Sequence, residues 1–286
     1  GRIIRNLVHG IQTISDNILH FYHLAALDYV NVADVAKYQG NDSQINSIKD
    51  FIQRGALNPF LPRYEGDYRL PPEANQQCVA HYVKALEMRR IGQEAVAIFS
   101  GKMPHSVGFV PGGVTSTPTV DSIMQYIWKA KILQDFVTNV YLPDVLAVAA
   151  AYPDYAAIGA GCKNLLSYGM YDLNSNGADY TKRERFFKQG TVSADLKPGD
   201  LDISKITEQV KHSWYADSST DRHPSQGETA PQAGKSGAYS WIKAPRYDGK
   251  VYEVGPLARI AVSYAKGDPK VKEIIDGALK KLNAGP

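Results

Sequence analysis

Residues 6–36 read NLVHGIQTISDNILHFYHLAALDYVNVADVA, and the reading of this stretch decides the fold. His9, Asp16, His20 and His23 recur in it at spacings of seven, four and three. An α-helix turns about 100° per residue, so these spacings put all four on one stripe within an arc of roughly 60°. Leu7, Ile11, Ile14, Ile18, Phe21 and Ala25 fall on the opposite stripe. One face can therefore bury apolar surface while the other presents imidazoles and a carboxylate. Solvated helix faces are ordinarily built from Lys, Arg and Glu, and none occurs between Asn6 and Ala36. The pattern predicts a long helix whose polar face is covered, and covered polar groups need partners. Those partners need not belong to this chain.

Working outward, the chain has 286 residues, 44% of them hydrophobic and 21% charged, which suffices for a sizeable core in one large domain or two. The net charge of +3 is small for this length, and no Lys/Arg run with interleaved aromatics is present, which argues against a nucleic-acid partner. Eighteen Tyr and three Trp point to extensive packing or contact surface. No apolar run reaches the roughly 18 residues that span a bilayer, since the stretch from Val145 stops at Pro153. The two cysteines, Cys78 and Cys162, form no C-x-x-C pair, so zinc and iron–sulfur sites within the chain are poor readings.

A short amphipathic helix follows the first, with Asn41-Asp42-Ser43 offering caps, Ile45, Ile48 and Ile52 inward, and Gly55 as terminator. A loop over 56–72 then leads into a long helical pattern from Glu73 to Ser100, closed by Gly101. The loop from Gly101 to Thr115 carries four Gly and two Pro around His105, and it contains no GxxxxGK[ST] phosphate signature. A third helical pattern runs from Val120 to about Tyr141, with a further short helix from Pro143 to Tyr152. Strand-like stretches at Asn164–Asp172 and Arg185–Ser193, around a turn at Asn174-Ser175-Asn176-Gly177, predict a small β-rich module. Ile203 to Trp214 reads as a helix, 216–237 as a polar loop without periodicity, and Leu257–Lys266 and Pro269–Leu282 as helices, the last capped by Asp268. Tyr239–Tyr247 and Glu253–Arg259 mix apolar residues with fixed charges in the manner of buried structural junctions. The expected organisation is thus mainly α, a long-helix bundle core over 1–155, a small β-rich module over 156–200, and a helix, long loop and C-terminal helices over 201–286.

Chemistry alone leaves the function open. Asp16 with His20 one turn on suits a general acid–base pair, or a carboxylate orienting an imidazole toward a metal. The His-Glu-x-x-His spacing of zinc proteases is absent, as are G-x-S-x-G and a dinucleotide fingerprint. An enzyme core and a noncatalytic assembly subunit both remain.

Several segments, in order, carry a resemblance. Arg5-Asn6-Leu7 through His20-Phe21-Tyr22-His23-Leu24-Ala25-Ala26-Leu27-Asp28, then Leu70-Pro71-Pro72-Glu73, then Gly101-Lys102-Met103-Pro104-His105 with Val110-Pro111-Gly112-Gly113-Val114-Thr115, then Tyr239-Ser240-Trp241 to Arg246 and Glu253 to Arg259, resemble the large subunit of nickel–iron hydrogenases, most of all its respiratory, membrane-associated group. The match runs from end to end. It implies hydrogen oxidation at a nickel–iron centre whose iron carries carbon monoxide and cyanide, held by four cysteines from two C-x-x-C motifs. Neither motif is here, nor are the segments that supply the family's proton-transfer glutamate and its arginine over the metals. Lys243-Ala244-Pro245-Arg246 is similar to the arginine motif, but its neighbours place it in an earlier, structural segment, so that role is not carried onto Arg246. The chain is then expected to be a central fragment, inactive alone and binding no cofactor by itself.

The resemblance further implies that Asp16 is the family's aspartate beside the active site, interacting with the absent arginine. Its neighbours are Ser15 and Asn17, where the family often has His. His20 and His23 match the His-Phe-Tyr-His run, groups behind the metals or at an interface. His105 matches a Pro-His loop that faces the small subunit, with Ser106 in place of the usual second Pro. The implied partners are an iron–sulfur small subunit, H2, and a membrane or soluble cytochrome as acceptor, in a periplasmic heterodimer attached to the membrane through its partners. A noncatalytic relative of the same fold, as in respiratory complex I, acting in quinone binding or assembly, is the alternative.

Overall fold

A computed structural model describes residues 1–55, 66–174 and 182–285. The described residues form two compact units, one within 1–156 with Lys281–Ala284, the other within 157–280 with Gly285. None of their helices is long and apolar enough to cross a membrane.

The first unit is helical. Helix α1 spans Arg2–His20, α2 Ser43–Gln53, α3 Pro72–Ser100, α4 Val120–Phe136 and α5 Leu142–Ala151. The 6–36 stretch is not one helix: α1 passes into a π turn at Phe21–Ala25, then into 3-10 turns at Ala26–Asp28 and Val32–Lys37. A second π turn, Val137–Tyr141, joins α4 to α5. Pro143 explains it, because proline lacks the N–H that an α-helix would bond to Asn139 and its ring crowds that carbonyl.

The core forms where α1 and α3 run antiparallel with α4 alongside, burying Ile4, Val8, Ile11, Ile18 and Tyr22 against Ala85, Met88, Ile91, Val96, Phe99, Leu133 and Phe136. This stripe is rotated from the expected one, and Leu7, Ile14 and Phe21 are only partly buried at its edge. Ser15 lies within it. A Cβ on Gly92 would stand 2.0 Å from Ser15 Oγ, so a glycine in α3 is what admits the close helix approach. A second cluster packs Val32, Val35, Ile45, Ile48 and Tyr152 on the first turns of α3. There the buried Asn75 side chain donates to Asp34 (2.8 Å) and to the Leu70 carbonyl (3.1 Å), pinning the 3-10 turn to the helix. Asp42 caps α2 as expected, its Oδ1 accepting from Gln44 and Ile45 N–H groups at 2.8 and 3.0 Å.

The second unit holds the β structure. Each expected strand region breaks into two short strands: β3 (Leu165–Ser167) and β4 (Met170–Asp172), then β5 (Arg185–Phe187) and β6 (Gly190–Val192), with β7 at Pro198–Gly199. β3 pairs antiparallel with β6, β6 with β7, and β4 with β5. Gly169, at φ +84°, supplies the backbone shape that divides the first region. Residues 175–177 of the expected turn, like 56–65 of the first-unit loop, lie outside the described residues. The helix expected over 203–214 is instead a 3-10 turn followed by strand β8, Ile206–Gln209, antiparallel to β9, Ala244–Tyr247. Its pairing partner lies about forty residues downstream, beyond the reach of local periodicity. Helices α6 (Pro256–Ala265) and α7 (Pro269–Leu282) follow, and Asp268 caps α7 through Lys270 and Val271 N–H.

The aperiodic 216–237 loop is stapled to its own unit. Lys235 Nζ donates to the Val210 and Tyr215 carbonyls at 2.8 and 2.9 Å and pairs with Asp217 at 2.7 Å, and the buried Ser219 hydroxyl donates to the Glu228 carbonyl. The junctions expected to be buried are buried only in part: Ala258 is, but Tyr239 is 76% exposed, Ile242 76% and Val254 73%. Trp241 packs on Trp214 and Tyr215 with ring centroids 5.2 and 5.5 Å apart, which leaves its neighbours at the surface.

Candidate functional site

Asp16 and His20 project from consecutive turns of α1, both exposed, with no hydrogen bond or ion pair among the described residues. His9 is exposed on the same stripe. Nothing in the described chain covers this face, although Lys, Arg and Glu are missing across the whole stretch. His23 differs. The π turn carries it into a half-buried place where its ring meets Tyr82 edge-on at 4.7 Å and Nε2 donates to the Tyr82 carbonyl at 3.1 Å. With the proton on Nε2, buried Nδ1 is left as an acceptor with no partner. Burial, with the positive Arg89 nearby, holds the imidazole below its ordinary range.

His105 does not join this group. It follows α3, exposed and at φ +59°, at the head of a loop closed by the Val107 and Gly108 N–H bonds to the Ser100 carbonyl. The loop ends in a two-strand hairpin, β1 (Phe109–Val110) with β2 (Gly113–Val114). Pro111-Gly112, with Gly112 at φ +88°, makes its turn, the arrangement of a type II turn. Met103 and Val114 seat the loop on the core, and β2 touches the start of α1 beside Gly1. At 1.5 Å rise per residue, Asp16 lies about 22 Å further along that helix. Arg246 sits in β9, in the other unit.

One constellation escaped the sequence reading. On the buried side of the first π turn, the Tyr22 hydroxyl donates to Asp144 Oδ2 at 2.6 Å, and His81 Nδ1 lies 2.7 Å from the same oxygen. Tyr22 is fully buried and Asp144 7% exposed. Burial, and then the bond to Asp144, holds the phenol well above its usual range. The Cys78 thiol beside them is pushed up to about 12, by burial first and the nearby carboxylate second. The available signal was that Asp144 is the single charged residue in the otherwise apolar run 140–151, which requires a partner wherever it is buried.

A family model for nickel-dependent hydrogenase matches residues 1–286. The chain belongs to that family. The large subunit of the periplasmic [NiFeSe] hydrogenase of Desulfomicrobium baculatum is 39% identical over 99% of the chain, which covers 51% of that relative. The uptake hydrogenase large subunit of Rhizobium leguminosarum bv. viciae is 34% identical over 98% of the chain and 56% of the relative. Among solved structures, a reduced, active form of the Desulfomicrobium baculatum Ni-Fe-Se hydrogenase superposes with a TM-score of 0.78 at 37% identity, covering 99% of this chain and 53% of that one. The oxidised Ni-Fe-Se hydrogenase of Desulfovibrio vulgaris Hildenborough gives 0.76 at 34% identity, with 100% and 62% covered. The chain spans about half the length of the curated relatives it matches, and its mainly helical architecture is that of these hydrogenase large subunits.

The resemblance implies four cysteine thiolates as the donor set for the family's nickel–iron centre. The described residues do not fit it. No three His, Cys, Asp or Glu side chains converge to hold a metal ion among them, Cys78 is buried with a raised thiol pKa, and Cys162 stands alone in the second unit.

Proposed function

We propose that this chain is the central part of the catalytic large subunit of a nickel–iron hydrogenase, which oxidises H2 to two protons and two electrons and passes the electrons to iron–sulfur clusters of a small subunit. The metal ligands come from segments other than this one. By itself the chain is inactive and supplies the helical frame together with one working carboxylate, Asp16. The complete protein works in the periplasm, held to the membrane through its partners and delivering electrons to a cytochrome. His105, at the head of its hairpin, faces the small subunit.

The observation that carries this reading is the coincidence of the family match over all 286 residues with the α1 face. Asp16 and His20 stand there exposed and unpartnered, on a stretch that lacks Lys, Arg and Glu, which is the composition of a face made to be covered. A carboxylate so covered must be met by donors, and its charge then acts at full strength in the enclosed site. The test is Asp16→Asn in the complete two-subunit enzyme. Hydrogen oxidation should fall by about 10²-fold with nickel content intact. Unchanged turnover would remove Asp16 from the site.

A further inference from the structure

The Tyr22, Asp144 and His81 cluster lies on the side of α1 away from the Asp16 stripe, and the function proposed above does not use it. Each π turn carries one residue more than an α turn, with poorer hydrogen bonding, and persists where something holds it. Residues 20–26 contain neither Pro nor Gly, so the Phe21–Ala25 turn has no local cause. What meets it is tertiary. Tyr22, at the turn's second position, donates to Asp144 at 2.6 Å, and the Phe21 and Tyr22 rings pack on Tyr141 at 5.5 and 6.0 Å. His81, from α3, bonds the same Asp144 oxygen. A carboxylate oxygen only accepts, so His81 carries its proton on Nδ1. One buried carboxylate thus ties three elements: the π turn that follows α1, the first half of α3 and the first turn of α5.

We propose that Asp144 is a positioning residue: by accepting from both Tyr22 and His81 it holds the Phe21–Ala25 π turn, and with it His23 and the exit of α1 behind the Asp16 face. This rests on the reading of that face as the working side of a hydrogenase.

The experiment uses the complete two-subunit enzyme with Asp144→Ala, which removes the accepting oxygen, Tyr22→Phe and the double variant. It follows amide hydrogen exchange over residues 20–28, hydrogen uptake as a function of H2 concentration, and nickel content. Tyr22→Phe removes one hydroxyl and keeps the ring packing, so it reads the joint even if Asp144→Ala fails to assemble. Exchange over 20–28 should accelerate at least about tenfold in each single variant, with no further gain in the double variant. The kcat should fall while KM for H2 and nickel content hold. Unchanged exchange in Tyr22→Phe overturns the proposal, and so does faster exchange with unchanged kcat, which would make the joint purely structural. An unsubstituted enzyme that takes up no hydrogen would contradict the hydrogenase reading instead, while the exchange data would still decide whether the joint holds the turn.

Discussion

Among the described residues, two π turns touch through their aromatic rings and arise for different reasons. The Val137–Tyr141 turn is forced from within its own segment, because Pro143 cannot continue the α ladder. The Phe21–Ala25 turn has no such residue and is imposed from outside, by the Asp144 bond and by packing on Tyr141 and Phe136. The first kind of irregularity is a property of a sequence window. The second is a property of the fold, and irregularities of that kind collect at functional sites. Here it sits one turn beyond the Asp16–His20 pair.

The contrast can be broken most forcefully at Asp144. Asp144→Ala strands the buried Tyr22 hydroxyl and the half-buried His81 N–H, and should destabilise the first unit by about 3 kcal/mol. Thermal unfolding of the complete enzyme would show this, and a loss within experimental error would mean the joint carries nothing. Pro143→Ala tests the other turn. It restores an N–H for the Asn139 carbonyl, and a crystal structure should show Val137–Tyr141 relaxed to α-helix, at a stability change within about 1 kcal/mol. If the π turn survives there, its cause is not the proline.

The smallest effect concerns His23. Burial lowers its native pKa below 6.5, so protonation favours the opened turn. The neutral ring's contribution is present above pH 6.5 and is lost as the pH falls below it toward the lowered native value. Exchange over residues 20–28, corrected for its intrinsic pH dependence, should speed up below pH 6.5, and His23→Gln should flatten that rise. A profile that is flat in the unsubstituted enzyme contradicts the assignment.

Much of this was legible in the residues. The 3.6-residue periodicity marked α1 to α5, Asp42 and Asp268 announced their caps, and the polar stripe with its missing Lys, Arg and Glu singled out Asp16 and His20. Where the reading failed, the cause lay far along the chain. Tyr22 meets a carboxylate 122 residues away, and β8 is a strand because β9 pairs with it, although Ile203–Trp214 has apolar spacing that a helix would also accept. The Tyr239–Tyr247 segment mixes charge and aromatics as a buried junction does, yet Trp241 packs on Trp214 and Tyr215 while Tyr239 and Ile242 stay outside. The face of α1 shows the complementary case, in which residue types announce a covering that the described residues do not provide.

That face therefore holds the central claim, and paired carboxylates test it most directly. Hydrogen uptake by the complete enzyme would be compared for Asp16→Asn and for Asp50→Asn, the latter an exposed carboxylate on α2, at matched nickel content. The account predicts a loss of about 10²-fold for Asp16→Asn and none for Asp50→Asn; equal rates in the two variants would contradict it.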